Sequence, residues 1–296
     1  MKKFVLKFSV FTAVFLFCIG SLMALVIIAN QQSLTHCKIQ PDIDSLMLGD
    51  SHTMWAINDS KIPTLRNISV NAEGYKYSLR KLEHVLASGD KPETVYIGFS
   101  YHNLSGYYDQ YISGRLFRHV FDRYLPVMQL DDYIGLVKSN TDSLADIFRR
   151  LVKEGGKKAI KSSCPLFGGF PPQQMHDEYS RESMLKRIDS QYYQDGQVLA
   201  PSSSNRKYLA KLIQLCKTNN INVVLVNTPL HKDYLERIPP EYVKIYDTFL
   251  KENSVEVYEF ADLPLEDHHF LPDGDHINYA GAARVTEAFK AYHEAQ

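Results

Sequence analysis

The sequence is poor in the features that build metal centres and nucleic-acid surfaces. It has four cysteines in 296 residues, and none of them forms a Cys-x-x-Cys pair, which argues against a structural zinc site. The formal net charge is −1, so the chain has no basic field that would attract nucleic acid. No internal repeat is evident. These absences leave one large or two small globular domains, for which we expect no metal, no cofactor and no nucleic-acid partner.

Charge is absent from one long stretch near the N-terminus. Residues 8–29 carry no charged side chain, and this run is long enough to span a bilayer. Lys2, Lys3 and Lys7 precede it and place the N-terminus in the cytoplasm. The sequence therefore predicts a single-pass membrane protein with its main domain outside the cytoplasm and the lipid bilayer as one partner.

The boundaries of this anchor follow from the same run. We expect an uncleaved transmembrane helix over residues 1–30 and a polar stalk over 31–41. A cleaved signal peptide is the alternative, but it has a shorter apolar region and a small-residue cleavage site. Met23-Ala24-Leu25 and Ile28-Ala29-Asn30 fit such a site poorly.

With the domain outside the cytoplasm, three of the four cysteines would lie in an oxidising compartment. Cys18 lies within the predicted span, which leaves Cys37, Cys164 and Cys216 outside the membrane. Three is an odd number, so we expect one disulfide and one free thiol. The sequence does not choose the pair.

Beyond the stalk, short apolar runs alternate with helical patterns. The predicted strands are residues 43–48, 67–70, 94–99, 221–226 and 255–260, and the predicted helices are 79–86, 204–216, 240–250 and 279–293. Strands that alternate with helices predict an α/β fold with a five-stranded parallel, doubly wound sheet. We assign this domain to residues 42–296.

The alternation breaks between residues 104 and 201, where no strand is evident. Helical stretches are predicted around 116–124 and 142–152, and a loop over 164–172. A long irregular segment in an α/β domain is typical of an insertion or cap over the carboxyl edge of the sheet. The many tyrosines of this segment indicate core packing, with a carbohydrate-stacking surface as the alternative.

Gly49-Asp50-Ser51 follows the first predicted strand and precedes a helical stretch. A turn of this kind presents the next side chain at the carboxyl edge of the sheet, where ligands bind in open α/β folds. The helix N-terminus there favours developing negative charge. Ser51 is therefore a candidate nucleophile. The alternative is that Ser51 is only a helix N-cap, a position where serine is common. We interpret Asp50 as a cap of the turn, and His52 as a pocket wall or substrate contact.

The candidate base lies near the other end of the chain, in the loop that contains Asp273 and His276. In an Asp-x-x-His loop the carboxylate turns back onto the imidazole, fixes its tautomer and leaves Nε2 free to face a serine. Asp275 is expected to point away from its neighbour His276, and Asp262 is a spare candidate acid. The cluster of acids and histidines also suggests metal ligands, but no second ligand cluster supports them.

These motifs resemble those of the SGNH (GDSL) hydrolase superfamily. Gly49-Asp50-Ser51 is similar to its first block and Asp273-x-x-His276 to its last, and the resemblance covers roughly residues 43–103 and 205–295. It implies a flavodoxin-like three-layer α/β/α fold and a Ser51–His276–Asp273 triad. It also implies an oxyanion hole formed by the Ser51 N–H, a glycine after the second strand and an asparagine after the third.

The chain departs from this pattern at the last of these positions. Gly74 matches the expected glycine, but Ser100 stands where the family usually has asparagine. We therefore assign the oxyanion hole to Ser51, Gly74 and Ser100, with Asn103 or His102 as substitutes. His52, Asn103 and His231 are predicted to contact the substrate.

The resemblance implies acyl chemistry at an ester. Water as acceptor would make the protein an esterase, and a sugar hydroxyl would make it an O-acyltransferase. Its membrane anchor resembles that of the D-alanyl transfer protein of teichoic acids and of the alginate O-acetylation proteins. This implies an acylated extracytoplasmic glycan as substrate and a membrane-bound acyltransferase as a partner. The alternative is a non-catalytic glycan-binding or assembly subunit that has kept the fold.

Overall fold

The structure is a computed structural model that describes residues 2–34, 37–114, 116–157, 167–171, 175 and 177–295. The chain divides into two compact units. One unit consists of Met1–Cys37 and Phe121–Pro165, and the other of Lys38–Val120 and Leu166–Gln296.

The described strands are short and the helices range from one to many turns. The strands are β1 Ser45–Leu48, β2 Leu65–Asn67, β3 Thr94–Gly98, β4 Tyr193–Gln194, β5 Gln197–Val198, β6 Asn222–Asn227 and β7 Glu256–Glu259. The α-helices are α1 Lys2–Ser33, α2 Ser51–Ala56, α3 Tyr75–Ala87, α4 Gln110–Ser113, α5 Phe121–Tyr124, α6 Leu130–Ser139, α7 Leu144–Arg150, α8 Arg181–Tyr192, α9 Ser203–Thr218, α10 Lys232–Leu235, α11 Pro240–Asn253 and α12 Tyr279–His293. Single 3₁₀ turns and a π-helical turn at Leu151–Gly155 join some of them.

The second unit contains a five-stranded sheet, and this confirms the predicted fold. Its strand order is β2-β1-β3-β6-β7, and every neighbouring pair is parallel. Each connection between parallel strands must cross over the sheet, which is why helices separate them in sequence. β1 and the last four residues of β3 are buried throughout, as expected of a sheet that is covered on both faces.

The two faces of the sheet carry separate apolar clusters because successive side chains of a strand point to opposite sides. Val95 and Ile97 of β3 belong to the cluster that includes α3, α9 and α11 residues. Tyr96, which lies between them, belongs to the cluster that contains Val285 and Phe289 of α12. The result is the three-layer α/β/α arrangement.

Two local features differ from the sequence-based prediction. The second strand ends at Asn67, where the predicted strand begins. A small antiparallel hairpin, β4–β5, lies in the segment for which no strand was predicted. Its turn is Asp195-Gly196, with φ of 52° and 75°. Asp-Gly is the typical sequence of a two-residue hairpin turn with positive φ at both positions, so this hairpin had a sequence signal.

The predicted insertion is divided between the two units. Residues 121–165 belong with the N-terminal helix, whereas 104–120 and 166–201 belong with the sheet. Helix formation around 116–124 is limited to a 3₁₀ turn at Phe117–His119 and to α5. Much of the predicted loop 164–172 lies outside the described residues.

The first unit contains α1, the one described helix that is long and apolar enough to span a membrane. Its stretch Lys2–Gln32 has a mean hydropathy of 2.7. Near its end, the Asn30 side chain donates hydrogen bonds to the carbonyls of Val26 and Gly155. A Cβ at Gly155 would lie only 2.7 Å from Val26 Cγ1, so a glycine is needed for this close approach.

The cysteines agree with one disulfide and one free thiol. Cys37 is disulfide-bonded, whereas Cys216 is a free, buried thiol of α9. Cys18 is free and exposed on α1. Cys164 lies outside the described residues.

Candidate active site

Ser51 is presented by a tight turn between β1 and α2. Gly49 has φ of +154°, and a Cβ there would lie 2.4 Å from Thr53 Oγ1. Asp50 is the N-cap of α2, and its Oδ1 accepts a hydrogen bond from His52 N. Ser51 is consequently the first residue of the helix, half-buried at the carboxyl edge of the sheet.

The loop after β7 brings His276 and Asp273 to the same edge. His276 Nε2 lies 2.7 Å from Ser51 Oγ, and His276 Nδ1 lies 2.7 Å from Asp273 Oδ2. An ionised carboxylate only accepts, so Nδ1 carries the proton and Nε2 is left to accept from the serine hydroxyl. The structure thus brings together the nucleophile, base and acid that the two motifs suggested.

Backbone hydrogen bonds fix this loop. Asp273 Oδ1 accepts from the backbone N–H groups of Asp275 and His276. Asn278 caps α12 by accepting from Ala280 N and Gly281 N. Burial by itself raises the pKa of the Asp273 carboxyl, but the charge and hydrogen bond of His276 lower it, and the net pKa lies below its usual value. Asp273 is therefore held in the ionised form that orients the imidazole.

A second pair of histidines lies behind the first. The His52 ring stacks on that of His102 at 3.8 Å between centroids, and it lies 4.7 Å from that of His276. Both His52 and His102 are buried. His52 was expected to line the pocket, but these contacts make it a packing neighbour of the base.

Asp275 corrects one expectation from the sequence, which was that its carboxylate turns away from the site. Its Oδ2 lies 3.9 Å from His276 Nδ1, and its Oδ1 lies 3.1 Å from His52 Nε2, although without the alignment of a hydrogen bond. Oδ2 accepts from Arg187 Nε at 2.7 Å and from Gln191 Nε2 at 2.9 Å. Helix α8 thereby holds the carboxylate against the histidines.

Asp50 caps the turn, as expected, and its second carboxylate oxygen also accepts hydrogen bonds from three side chains. Its Oδ2 accepts from His102 Nε2 at 2.9 Å, from Asn103 Nδ2 at 2.8 Å and from the Tyr108 hydroxyl. Burial opposes its ionisation, but His102, His52 and Tyr108 together lower the pKa of Asp50 far below the usual 3.8. A buried carboxylate with this many donors fixes the base of the Ser51 turn.

Three residues expected at the oxyanion hole or substrate do not line the cavity that contains Ser51 and His276. Gly74 instead caps α3, beside Asn205. Ser100 is buried behind the site. Asn103 has both ends of its amide engaged, because Oδ1 accepts from Ser100 N and Nδ2 donates to Asp50.

His231 and Asp262 lie together in a neighbouring cavity. His231 stacks on Tyr179 at 3.7 Å, and its Nε2 lies 3.2 Å from Asp267 Oδ1. Neither His231 nor Asp262 lines the cavity of Ser51.

The cavity at Ser51 has a volume of about 260 Å³. Its lining consists of Ser51, Trp55, Asn71, Ala72, Tyr107, Tyr108, Tyr111, Met175, Arg187, Leu271 and His276. Ala72 has φ of +58°, a conformation uncommon for a residue with a Cβ. Tyr107 and Tyr111 belong to the segment whose tyrosines the sequence assigned to core packing, with a carbohydrate-stacking surface as the alternative. Arg187 comes from the same segment, and no sequence pattern indicated its place here.

Among the residues that the structure describes, one group of side chains is close enough to hold a metal ion. Ligand atoms of His52, Asp275 and His276 lie within 4.8 Å of one another. However, both ring nitrogens of His276 are engaged by Ser51 and Asp273. The arrangement therefore favours hydrogen-bonded proton transfer over metal ligation.

Comparison with known proteins finds similar folds at low identity. A protein-family model matches residues 185–294, a stretch that includes Asp273 and His276. A search of the curated proteins finds no match.

Several solved structures resemble the chain. A GDSL-like lipase from Bacteroides thetaiotaomicron VPI-5482 is 12% identical, with a TM-score of 0.42, over 90% of this chain and 99% of that one. A catalytic mutant of an acetylxylan esterase from Geobacillus stearothermophilus is 13% identical, with a TM-score of 0.37, over 85% and 94%. At these values the likeness supports no conclusion about substrate or activity.

Proposed function

We propose that the protein belongs to the SGNH (GDSL) hydrolase superfamily and is a serine-dependent acyl esterase or O-acyltransferase. Its substrate in this proposal is an acylated, most simply acetylated, extracytoplasmic glycan or cell-surface polymer. The observation that carries the proposal is the chain of two 2.7 Å contacts from Ser51 Oγ to His276 Nε2 and from His276 Nδ1 to Asp273. Such a nucleophile–base–acid arrangement defines a triad by geometry and role.

The chemistry follows from this geometry in two halves. Ser51 Oγ attacks the acyl carbonyl while His276 Nε2 takes the hydroxyl proton. The tetrahedral intermediate collapses, the ester C–O bond breaks, and His276 returns the proton to the leaving alcohol. In the second half, His276 deprotonates water or a sugar hydroxyl, which attacks the acyl-serine. The acyl–Oγ bond then breaks, His276 returns the proton to Ser51 Oγ, and the acid or a new ester is released. Asp273 stabilises the imidazolium in both halves.

The oxyanion of each tetrahedral intermediate needs N–H donors. We assign this role to the backbone N–H groups of Ser51 and Ala72, because both residues line the cavity. Ser51 is the first residue of α2, where N–H groups have no partner within the helix. Ala72 takes the place that the sequence suggested for Gly74.

The extracytoplasmic location is supported by two features of the first unit. Helix α1 is long and apolar enough to cross a membrane, and Cys37 is disulfide-bonded, which is typical of an oxidising compartment. A membrane-anchored domain outside the cytoplasm suits a polymer substrate. It also suits a membrane-bound acyltransferase as partner, which would supply or receive the acyl group.

Labelling of the full-length protein in detergent with a fluorophosphonate tests the nucleophile. We expect wild type and the control Ser60→Ala, an exposed serine outside the cavity, to be labelled. Ser51→Ala and His276→Ala should not be labelled. Labelling that persists in Ser51→Ala would refute the assignment.

The direction of reaction is tested in cells by NMR of the purified polymer. Loss of an esterase raises the ester content of the glycan in Ser51→Ala cells, and loss of a transferase lowers it. If the spectra match wild type and Ser51 resists the fluorophosphonate, the protein is instead a non-catalytic glycan-binding or assembly subunit.

A further inference from the structure

We propose that Arg187 forms an anion-binding subsite beside Ser51, so that the substrate carries a carboxylate or phosphate close to its acyl ester. This inference rests on the proposed acyl chemistry and names the class of polymer on which it acts: acidic rather than neutral. Acidic polymers of both kinds, uronate and polyol phosphate, present anionic groups within a few bonds of their hydroxyls.

The position of Arg187 is set by helix α8. The residue lines the same cavity as Ser51 and His276, and its side chain is 23% exposed. Its guanidinium carbon lies 5.9 Å from the centroid of the Tyr107 ring. The charge is thus mostly enclosed and lies against an aromatic wall of the cavity that contains the serine.

The hydrogen bonds of Arg187 leave most of its donors unused. Nε donates to Asp275 Oδ2 at 2.7 Å. Neither terminal nitrogen donates a hydrogen bond to any residue in the described part of the chain. An arginine has five N–H donors in a planar fork that matches a carboxylate or phosphate. The unused edge of that fork is therefore available to an anion in the cavity.

Two carboxylates lie near Arg187, and each of them also has another partner. Asp275 shares its Oδ2 between Arg187 and Gln191, is buried and does not line the cavity. Asp273 is paired with His276. Burial opposes the charge of Arg187, but Asp275 and Asp273 raise its pKa well above the usual value, so the guanidinium is charged at every working pH.

The hydroxyls of Tyr107 and Tyr111 complete the subsite. They lie 2.6 Å from each other, and both residues line the cavity while remaining partly exposed. One hydroxyl donates to the other, so the guanidinium and the remaining O–H offer donors to an anion and to a neighbouring sugar. The alternative is that Arg187 serves only to hold Asp275 in place, and such a role would affect every substrate equally.

The experiment compares neutral and anionic esters with the full-length protein in detergent. The probes are acetylated xylotriose as the neutral ester, acetylated trigalacturonate as the carboxylate and acetylated oligo(glycerol phosphate) as the phosphate. The variants are Arg187→Gln and Arg187→Lys. Lys186→Gln is the matched control, because Lys186 is the neighbouring cation on α8 and its side chain is 75% exposed.

We expect Arg187→Gln to lower kcat/KM about 10- to 100-fold more for an anionic ester than for acetylated xylotriose, as for loss of charge-assisted hydrogen bonds. Much of the additional loss should be in KM. Arg187→Lys should recover part of it, because it keeps the charge but not the planar fork. The anionic ester with the higher kcat/KM in wild type identifies carboxylate or phosphate as the group that Arg187 recognises. Equal losses on all three esters would overturn the subsite and leave a purely structural role.

A binding measurement separates this inference from the proposed function. Calorimetry with unacylated trigalacturonate and oligo(glycerol phosphate) needs no turnover. Weaker binding of either one to Arg187→Gln than to wild type and Lys186→Gln supports the subsite even if no ester is cleaved. If Ser51 is labelled and esters are turned over but neither anion binds in an Arg187-dependent way, the subsite fails while the acyl chemistry stands.

Discussion

Asp50 shows how much a single buried charge contributes to this site. Its carboxylate accepts from one backbone N–H and from His102, Asn103 and Tyr108. If an amide nitrogen replaced Oδ2, its three side-chain donors would be buried without an acceptor, and unpaired buried donors are costly. Asp50 therefore maintains the turn that presents Ser51, without contacting the reacting atoms.

We predict that Asp50→Asn lowers the free energy of unfolding by about 3–5 kcal/mol at pH 7, because several buried donors lose their acceptor at about 1–3 kcal/mol each. The folded-state pKa of Asp50 lies far below 3.8, so its contribution is present above about pH 4. It is lost as the pH falls further, because the unfolded chain binds a proton first.

Urea unfolding followed by fluorescence of the single tryptophan, Trp55, measures both effects. The difference between wild type and variant should shrink as the pH is lowered from 7 towards 3. A difference that is constant with pH would contradict the assigned ionisation.

The sequence offered Asp262 as an alternative to Asp273 for the acid of the triad. We predict that Asp273→Asn lowers kcat for 4-nitrophenyl acetate by about three to four orders of magnitude, as expected when the acid of a triad no longer fixes the tautomer. Asp262→Asn is the matched control, because Asp262 lies in the neighbouring cavity and should leave kcat unchanged. A loss of kcat in Asp262→Asn but not in Asp273→Asn would instead identify Asp262 as the acid.

At the scale of elements, the β1–α2 connection is the most constrained turn of the site. Gly49 and Gly98 approach Thr53 from two sides, and a Cβ on either glycine would lie within 2.7 Å of its side chain. Thr53 is fixed in turn by a 2.8 Å hydrogen bond to Ser69. The spacing of β1, β3 and α2 thus depends on the absence of two side chains.

Gly49→Ala should destabilise the fold by about 3 kcal/mol or more, because backbone strain and overpacking add. Gly89→Ala is the control: its φ is +87°, but no atom lies within 4 Å of the added Cβ. It should cost only about 1–2 kcal/mol, the strain of the left-handed conformation. Urea unfolding compares the two, and equal costs would show that contact with Thr53 contributes nothing.

At the scale of the whole molecule, the chain divides into a unit that contains the apolar helix and a unit that contains the five-stranded sheet. The first unit includes the candidate span and part of the segment that sequence assigned to the insertion. The second contains the sheet and every residue of the proposed triad. Cleaving the chain after α1 would therefore leave the site intact but divide the first unit.

We predict that α1 anchors the protein with its N-terminus in the cytoplasm, because Lys2, Lys3 and Lys7 flank the uncharged run. Protease added to spheroplasts should digest the second unit and leave an N-terminal epitope tag intact. Permeabilised spheroplasts are the control, in which the tag is also lost. Protection of the second unit, or release of a soluble mature chain, would contradict this topology.

The sequence by itself determined the layers of the fold and the two ends of the proposed triad. Alternation of apolar strands with helices requires a parallel sheet, because parallel neighbours need crossover connections. Gly49-Asp50-Ser51 and Asp273-x-x-His276 each fix local geometry within a few residues, so their chemistry could be recognised before any contact between them was known.

Only the tertiary structure decided which side chains surround the residues of the proposed triad. Arg187 and Asp275 meet across 88 positions of the sequence, and His52 and Thr228 across 176, and no local pattern encodes such contacts. Gly74, Ser100 and Asn103 have suitable chemistry for an oxyanion hole, but none of them lines the cavity of Ser51. Gly74 caps α3, and Asn103 is hydrogen-bonded to Ser100 N and to Asp50. Strand and turn patterns are local properties of the chain, whereas the walls of a cavity depend on which distant side chains the completed fold brings together.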